Sequence, residues 1–355
     1  MPTIRDVARA CGLSAMTVSA VLNGKVGQAS EETRVRVLKA VEELDYHPNA
    51  LARGLARKRM DTIGVVASFS DRPSLFGDRY FGPVFDGLIL AAQSLRQRVL
   101  IITEESWDDV SGRIPHYADG HCDGLIFVTP TFPDEALTPL LNRMLPIVFL
   151  GENRPSLPVS VVDMDNVQAG ERATSQLIER GHRRIAYLGG DTNLRSSHER
   201  LEGYCQALQK AGLTAEPHWA VHGHYSEASG LRETAKLLKL PKAQRPTAFF
   251  CGDDAIALGA IGAITKSGAS VPDDFSVVGI NDDSFAALSS PPITTIRQPL
   301  RAEGEHAVEM LLEQIQDKKC SYQRVLLPGE WIERGSVGPP PQQERRIVRS
   351  SICLS

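Results

Sequence analysis

The chain has 355 residues, a formal net charge of −4, 42% hydrophobic residues and 23% charged residues. This composition is ordinary for a soluble globular protein, and the length is enough for about two or three domains. The net charge argues against a protein that binds nucleic acid over its whole surface, because such a surface must be basic.

The basic residues are concentrated at the N-terminal end. Residues 1–60 contain ten Lys or Arg and six Asp or Glu, whereas the remainder contains 29 basic and 37 acidic residues. A basic head on an acidic body indicates that only the head meets a polyanion.

Residues 3–23 predict two short helices around a tight turn. Thr3 can cap the first helix, with Asp6 at the spacing of a capping box. Gly12 supplies the positive φ that reverses the chain, and Ser14 caps the second helix. Helix, glycine-containing turn and helix is the layout of a helix-turn-helix.

The outer face of the second helix carries short side chains. Its predicted members are Ala15, Met16, Thr17, Ser19 and Ala20. Such a face fits a DNA major groove about 12 Å wide, because long side chains would hold the helix away from the base edges.

A third helix is predicted to begin after Ser30 and to complete a small headpiece. Its predicted apolar stripe is Val35, Leu38, Val41 and Leu44.

The segment 49–57 is a marginal helix or a plain linker, and the residues leave both open. Asn49 can cap a helix, but Gly54 lies in the middle of a segment shorter than the ~12–15 residues that an isolated helix needs. A helix here would form only when DNA or a second copy supplies contacts.

From Thr62 onward, short aliphatic runs alternate with amphipathic stretches. Continuous apolar strands between helices predict parallel sheets covered on both faces, and the number of units predicts two lobes. We therefore expect an all-α helix-turn-helix headpiece followed by an α/β body of two lobes. Pro291-Pro-Ile-Thr-Thr-Ile296 is predicted to cross back to the first lobe.

Polar side chains follow several predicted strands, where an open α/β sheet forms its cleft. The candidates are Tyr80, Phe81, Asp191, Arg195, Ser196, His198, Arg200, Asp253, Asp254, Asn281, Asp282 and Asp283. Aromatics, arginines and carboxylates in one cleft suit a polar small molecule such as a sugar. For Asp254 and Ser284 an ordinary helix N-cap or an inter-helix salt bridge is the favoured interpretation.

No catalytic, phosphate-binding or metal-binding motif is found in the sequence. The six cysteines lie far apart, without a metal-ligand spacing. The N-terminal residues lack a signal-peptide pattern, and no apolar run approaches the ~20 residues of a membrane span. We therefore expect a cytoplasmic protein, nucleoid-associated when bound to DNA, with no enzyme activity, cofactor, metal or membrane contact.

Several motifs together resemble the LacI/GalR family of bacterial transcription regulators, over residues 2 to about 337. The N-terminal motifs are Ile4-Arg-Asp-Val-Ala-Arg9, Gly12-Leu-Ser14, Thr17-Val-Ser19 and Tyr46-His-Pro-Asn-Ala-Leu-Ala-Arg-Gly-Leu55. The body adds Arg180-Gly-His-Arg-Arg-Ile-Ala-Tyr-Leu-Gly-Gly190, Asp253-Asp-Ala-Ile-Ala-Leu-Gly-Ala260 and Pro291-Pro-Ile-Thr-Thr-Ile-Arg-Gln-Pro299.

This resemblance implies a homodimer that binds a palindromic double-stranded operator, with two hinge helices in the central minor groove. Leu55 matches the leucine that such proteins wedge between base pairs. Ala20 stands where Arg is commonest, which predicts a thymine preference or reduced discrimination there. The implied DNA-binding residues are Thr3, Ser14, Ala15, Met16, Thr17, Ser19, Ala20, Asn23, Asn49, Ala52, Arg53 and Leu55.

The resemblance also implies a periplasmic-binding-protein-like body with the effector between its lobes. The implied effector-binding residues are Tyr80, Phe81, Ser196, Arg200, Tyr225, Asp253 and Asn281. Asp253 stands where many relatives have Asn, and Asn281 stands where many have Asp. The pocket remains polar, but its hydrogen-bond donors stand at different positions, so the effector of a relative cannot be assigned to this chain.

We favour a sequence-specific transcription regulator, and within that class a repressor, that is controlled by a carbohydrate or its phosphate. The alternatives are control by a protein co-regulator and a carbohydrate-binding enzyme with a fused headpiece. The predicted domains are the headpiece (1–47), the hinge (48–61), lobe 1 (62–161 and 292–323), lobe 2 (162–291 and 324–337) and a disordered tail (338–355).

Overall fold

The computed structural model describes residues 2–23, 29–47, 54, 57, 59–68, 74, 76–317 and 321–341. The chain divides into two compact units, Met1–Asp61 and Thr62–Ser355, here called the headpiece unit and the body. Four predicted DNA contacts lie outside the described residues: Asn49, Ala52, Arg53 and Leu55.

The headpiece unit contains α1 (Ile4–Cys11), α2 (Ala15–Leu22) and α3 (Glu31–Glu43). Gly12 has φ 62° and ends α1 in the left-handed conformation that glycine adopts without a steric cost. The Ser14 hydroxyl accepts a hydrogen bond from the Thr17 amide at 3.0 Å and so caps α2.

The apolar stripe of α3 differs from the predicted one. Val35 and Leu38 are 59% and 47% exposed, so the prediction that they are buried is wrong. The helix instead turns Val37 and Ala40 toward a core formed with Val7 of α1 and other apolar residues. Val41 and Leu44 continue that stripe, and all four residues fit the i, i+3, i+4, i+7 spacing.

The body alternates strands and helices, as its sequence pattern predicts. Its first part contains β1 (Thr62–Ser68), α4 (Phe81–Ser94), β2 (Arg98–Glu104), α5 (Val110–Tyr117), β3 (Gly124–Val128), a 3-10 turn (Asp134–Leu137), α6 (Thr138–Leu141), β4 (Ile147–Leu150), β5 (Ser160–Met164), α7 (Asn166–Glu179), β6 (Ile185–Gly189) and α8 (Arg195–Lys210). Its second part contains a 3-10 turn (Pro217–Trp219), β7 (Ala220–His222), α9 (Glu227–Leu238), β8 (Ala248–Cys251), α10 (Asp254–Lys266), β9 (Ser276–Asn281), β10 (Thr294–Arg297), α11 (Leu300–Gln316), β11 (Arg324–Leu327) and β12 (Glu330–Ile332).

Two six-stranded sheets form the two lobes. Lobe 1 has the strand order β11-β5-β4-β3-β1-β2, and lobe 2 has the order β12-β10-β9-β8-β6-β7. All pairs are parallel except β10 with β12. The central strands β1 and β3 are buried along their whole length, because helices cover both faces of the sheet. The predicted fold class is thereby confirmed.

The chain passes between the lobes three times, and the predicted lobe boundary is wrong at each of these places. The predicted boundary between residues 161 and 162 cuts β5, which belongs to lobe 1 as far as Met164. β10 pairs with β9, so residues 294–297 belong to lobe 2 and the chain returns to lobe 1 only at Gln298–Pro299. β11 pairs with β5 and therefore belongs to lobe 1. Strand pairing decides membership here, and it joins residues that are distant in the sequence.

The predicted disordered tail begins too early. The Gly338 amide donates to the Ser276 hydroxyl at 3.0 Å, and the His182 ring lies 3.0 Å from the Gly338 carbonyl oxygen. Residues 338–341 therefore dock on lobe 2, and residues 342–355 lie outside the described residues.

Candidate effector cavity and DNA-binding face

A cavity of about 140 Å³ lies between the lobes, at the carboxyl ends of the strands. Its lining combines two aromatic rings, two guanidinium groups, four carboxylates and several small or amide side chains. The lining residues are Asp78, Arg79, Tyr80, Thr129, Gly151, Asp163, Leu194, Ser196, Arg200, Tyr225, Asp253, Asn281, Asp283 and Gln298.

Two glycines make room for the aromatic walls. A Cβ on Gly190 would lie 2.2 Å from Cζ of Tyr225, so only glycine lets that ring lie against the backbone. Gly151 has φ 74°, and its Cβ would meet the Tyr80 hydroxyl. Each lobe thus presents one tyrosine to the cavity.

Arg200 is buried and held by groups from several elements. Its Nε donates to the Asn166 side-chain oxygen at 2.9 Å, and its Nη1 donates to the Gly252 carbonyl. Its Nη2 donates to Gln298 at 3.4 Å. Gln298 in turn donates to the Glu303 carboxylate of lobe 1 at 3.0 Å. This network links lobe 2 to lobe 1 where the chain crosses between them.

Three carboxylates of the cavity are buried. Burial raises the pKa of Asp253 to about 6, although Arg200 and Arg79 oppose the shift. Burial also raises the pKa of Asp283 to about 6, with Arg79 again opposing it. Burial, then repulsion from Glu303, raises the pKa of Asp163 well above its ordinary value.

Asp253, not Asp254, caps α10. The Asp253 side chain accepts a hydrogen bond from the Ile256 amide at 2.7 Å. Asp254 is fully buried and accepts from the Thr295 hydroxyl at 2.7 Å and from the Asp283 amide at 2.8 Å. The expectation that Asp254 is the N-cap is therefore wrong, and Asp254 instead fixes the loop that carries Asp283.

Asn281 occupies a strained backbone position at the end of β9. Its φ is 111°, and the following Asp282 has φ 61°. Side chains rarely adopt such values outside sites where neighbouring structure enforces them. Arg297 and Arg334 both bind the Asp282 carboxylate and hold this turn beside the cavity.

Polar side chains at the start of α1 and at the end of α2 already have hydrogen-bond partners within the headpiece unit. The Thr3 amide and hydroxyl donate to Asp6 at 2.8 and 2.7 Å. The Asn23 amide nitrogen donates to the Ser19 carbonyl at 2.8 Å. Met16 is 82% exposed and is the most exposed apolar side chain of α2.

The expectation that Ala20 lies on an exposed outer face is wrong, whereas Ala15 is partly exposed. Ala15 packs against the headpiece core, and Ala20 is only 8% exposed. Asn23, one turn after Ala20, accepts a hydrogen bond from Arg57 at 2.8 Å. The Arg57 side chain therefore lies at the C-terminal end of α2.

Comparison with known proteins matches both units. The family described as "Bacterial regulatory proteins, lacI family" matches residues 3–49, and "Periplasmic binding protein-like domain" matches residues 174–337. The HTH-type transcriptional repressor PurR of Aliivibrio fischeri is 35% identical over 339 residues, which cover 95% of this chain and 98% of that protein. The chain belongs to the lacI family of bacterial regulatory proteins.

Other members of the lacI family and their structures agree with this assignment. PurR of Klebsiella pneumoniae is 34% identical over 347 residues, covering 96% of this chain and 98% of that protein. A complex of the transcriptional regulator CelR with cellobiose has 31% identity and a TM-score of 0.72, and covers 95% of this chain and 100% of that one. The lac repressor dimer bound to operator and the anti-inducer ONPF has 28% identity and a TM-score of 0.79, with 95% and 99% covered.

As a lacI-family member the chain is a DNA-binding transcription regulator and not an enzyme. Among the described residues, no group of three His, Cys, Asp or Glu side chains could hold a metal ion. No helix in the described part of the chain is long and apolar enough to cross a membrane.

The structure brings six of the seven predicted effector residues to the lacI-family cleft. Tyr80, Ser196, Arg200, Tyr225, Asp253 and Asn281 line the cavity. Phe81 does not, because it begins α4 and packs in the core of lobe 1 beside Phe85.

Three other candidates do not line the cavity and have partners elsewhere. The Asp191 carboxylate pairs with His224, Arg195 pairs with Glu199, and the His198 ring bonds the Thr192 carbonyl oxygen. The sequence interpretation missed Asp163 and Gln298, which line the cavity. Gln298 directly follows β10, so the strand-end rule would have found it had that strand been predicted. Asp163 lies near the end of β5, where the same rule applies.

Proposed function

We propose that this protein is a repressor that binds a palindromic operator as a homodimer and responds to a small molecule between its lobes. The observation that carries the proposal is a cavity lined by side chains of both lobes, in a chain that also has a lacI-family helix-turn-helix. A ligand that contacts both lobes stabilises one of their relative orientations, because its binding energy depends on that orientation.

The DNA contacts proposed for this chain lie on α2 and in the hinge. Met16 offers an exposed side chain to the major groove, while Ser14, Thr17 and Ser19 lie around it on the same short helix. Leu55 is proposed as the apolar wedge of the central minor groove, on the strength of its position in the family motif.

Lobe 1 carries the apolar surface that we assign to the homodimer. Ile89 and Leu90 of α4 are 40% and 43% exposed, and Leu100 of β2 is 40% exposed. β2 is an edge strand, since it pairs with β1 alone. A second copy of the chain would cover these side chains and bring two α2 helices to two operator half-sites.

The effector is proposed to be a carbohydrate or a related polyhydroxylated molecule. Aromatic rings can cover the apolar faces of a sugar, and buried carboxylates and amides accept hydrogen bonds from its hydroxyl groups. The similarity to a regulator solved with cellobiose favours the same class. Effector binding would shift the lobes and form or melt the hinge helices, with a coupling of about 1–3 kcal/mol.

The test of DNA recognition uses the full-length protein and a matched pair of methionine variants. Binding sites are selected from random duplex DNA and then titrated by fluorescence anisotropy. We expect a palindromic site, a several-fold loss of affinity in Met16→Ala, and no change in Met144→Ala, whose side chain is equally free in the body. Failure to select any site, or equal affinity of the two variants, would contradict the proposal.

A further inference from the structure

The cavity contains more carboxylates than cations. Asp163, Asp253 and Asp283 are buried carboxylates, and Asp78 adds a fourth, whereas Arg79 and Arg200 are the cationic groups of the described lining. Buried charges are costly unless they are paired and hydrogen-bonded. An excess of buried carboxylates therefore favours a ligand that supplies positive charge.

Both guanidinium groups are already engaged by the protein. Arg200 donates to three separate side-chain or backbone oxygens, from Asn166, Gly252 and Gln298. Arg79 pairs with Asp283 at 3.4 Å and lies over the Phe285 ring. An anionic ligand would have to compete with these partners while facing the carboxylates.

Asp163 shows the excess most directly. It is 2% exposed and lines the cavity, and its Oδ1 accepts the Met164 amide at 2.7 Å. Its Oδ2 has no hydrogen-bond partner among the described residues. Glu303 and Glu199 lie close enough to raise the pKa of Asp163 further, although Arg200 opposes them. A positively charged hydrogen-bond donor would give Oδ2 a partner and would offset the negative charge of the ionised carboxylate.

The geometry favours an organic cation over a metal ion. No three carboxylate, histidine or cysteine side chains of the described residues converge closely enough to hold a metal. The cavity also exposes two tyrosines, Tyr80 and Tyr225, and aromatic faces attract ammonium groups. A cavity of about 140 Å³ admits a small organic molecule.

We infer that the effector carries a protonated amine, held by Asp163 and Asp253, on a small polyhydroxylated scaffold such as an amino sugar. This inference rests on the proposed function and narrows it, because it excludes sugar phosphates and uronates from the expected effectors. This chain carries Asp253 at a position where, as the family resemblance implies, many relatives have Asn.

The test is a thermal-shift series on the full-length protein with ligands matched in shape and different in charge. One set is glucosamine, glucose and glucuronate, and a fragment set is ethanolamine, ethylene glycol and glycolate, all at equal concentration and ionic strength. We expect the amine of each set to raise Tm most and the carboxylate least.

Two variants separate a direct contact from a general charge effect. Asp253→Asn keeps the oxygen that caps α10 but removes the charge, and we expect it to weaken amine binding about tenfold or more while leaving the hydroxyl analogue nearly unchanged. Asp191→Asn removes an equal charge outside the cavity lining and should change neither the binding of the amine nor that of the hydroxyl analogue.

The inference is overturned if a carboxylate member gives the largest shift, if no amine raises Tm, or if Asp253→Asn weakens amine and hydroxyl ligands equally. Operator affinity, measured on the same preparations, keeps the two proposals apart. If the protein binds its operator but no amine raises Tm, the inference of an amine effector is refuted and the proposed regulatory function is not. Amine binding that never changes operator affinity refutes effector control and leaves the amine contact standing.

Discussion

At the scale of single residues, the shape of the cavity depends on glycines, because they leave room for neighbouring aromatic rings. Gly190 allows the Tyr225 ring to lie against the backbone, since a Cβ there would approach ring atoms to 2.2–2.4 Å. The ring is rigid and Tyr225 is partly buried, so it cannot yield by a small rotation alone. The aromatic wall of lobe 2 is therefore specified by a glycine.

Gly190→Ala should displace Tyr225 and weaken ligand binding in the cavity. We expect a loss of stability of about 1–3 kcal/mol from overpacking, together with a smaller ligand-induced rise in Tm. Chemical denaturation and thermal shift measure the two effects. Gly262→Ala is the control, because the nearest atom to its Cβ is 3.9 Å away and alanine favours a helix, so it should be neutral or stabilising.

His182 predicts a pH dependence of stability. The ring is buried against Thr247 and Ser276, and burial lowers its pKa to about 4. The unfolded chain binds the proton more tightly, near the ordinary value of 6.5. The stabilisation is thus fully present above about pH 6.5 and is lost as the pH falls toward about 4.

Urea denaturation of the wild type and of His182→Asn isolates this contribution. Between about pH 7 and about pH 5 the wild type should lose about 2 kcal/mol more than the variant, which has no titrating group at position 182 and keeps all the others. Equal losses in the two proteins would show that His182 is not the responsible group.

The sequence predicted residue types in the cleft better than their individual contacts. The strand-end rule and the family motif both brought Arg200 and Asp253 to the cleft, because backbone topology alone decides that placement. Phe81 was wrong because its exposure depends on the rotation of α4, and the expected exposure of Ala20 was wrong because Ala20 lies on the buried side of α2.

At the scale of elements, the exposed edge of lobe 1 is the feature that most needs a partner. Leu90 on α4 and Leu100 on β2 leave apolar side chains in solvent, next to the unpaired edge of β2. Exposed apolar residues beside an open strand are a typical interaction surface.

Leu100→Lys should convert the dimer to monomer, since a charged side chain would be buried in the interface. Analytical ultracentrifugation measures the mass of the particle. Operator affinity should also fall, because a monomer cannot bind the two half-sites together. Leu288→Lys is the control, since Leu288 is 84% exposed on lobe 2. A Leu100→Lys protein that remains dimeric would place the interface elsewhere.

Helices and strands with a clear apolar pattern were predicted well, including the four-residue strands β4 and β11, whereas β7, β10 and β12 were not predicted. α11 was predicted from Leu300 to about Gln316, as observed, because its amphipathic pattern runs over many turns. β7, β10 and β12 have three or four residues each, which is too few for a periodic signal. The pairing of β10 with lobe 2 depends on hydrogen bonds that no local pattern records.

At the scale of the whole body, a few polar contacts join the lobes across the cleft. The Asn153 side chain of lobe 1 donates to the Glu199 carboxylate of lobe 2 at 3.0 Å and accepts from Arg324 at 2.7 Å. Arg79 and Asp283 form a second contact across the cleft at 3.4 Å. These contacts stabilise the closed arrangement of the lobes.

Asn153→Ala should favour a more open body, because Glu199 loses its donor from the other lobe. Small-angle scattering without ligand should give a larger radius of gyration than the wild type, and the cavity ligand should bind more weakly. Asn142→Ala, at an exposed position of lobe 1, is the control. An unchanged scattering curve in Asn153→Ala would show that this contact does not hold the lobes together.

The central claim is that occupation of the cavity changes operator binding. The most direct measurement is the operator Kd of the full-length protein with and without the ligand that raises Tm most. We predict a change of about 5–150-fold in the wild type and little change in Tyr225→Ala, whose cavity wall is missing. A Kd that is the same with and without a ligand shown to bind the cavity would contradict the account.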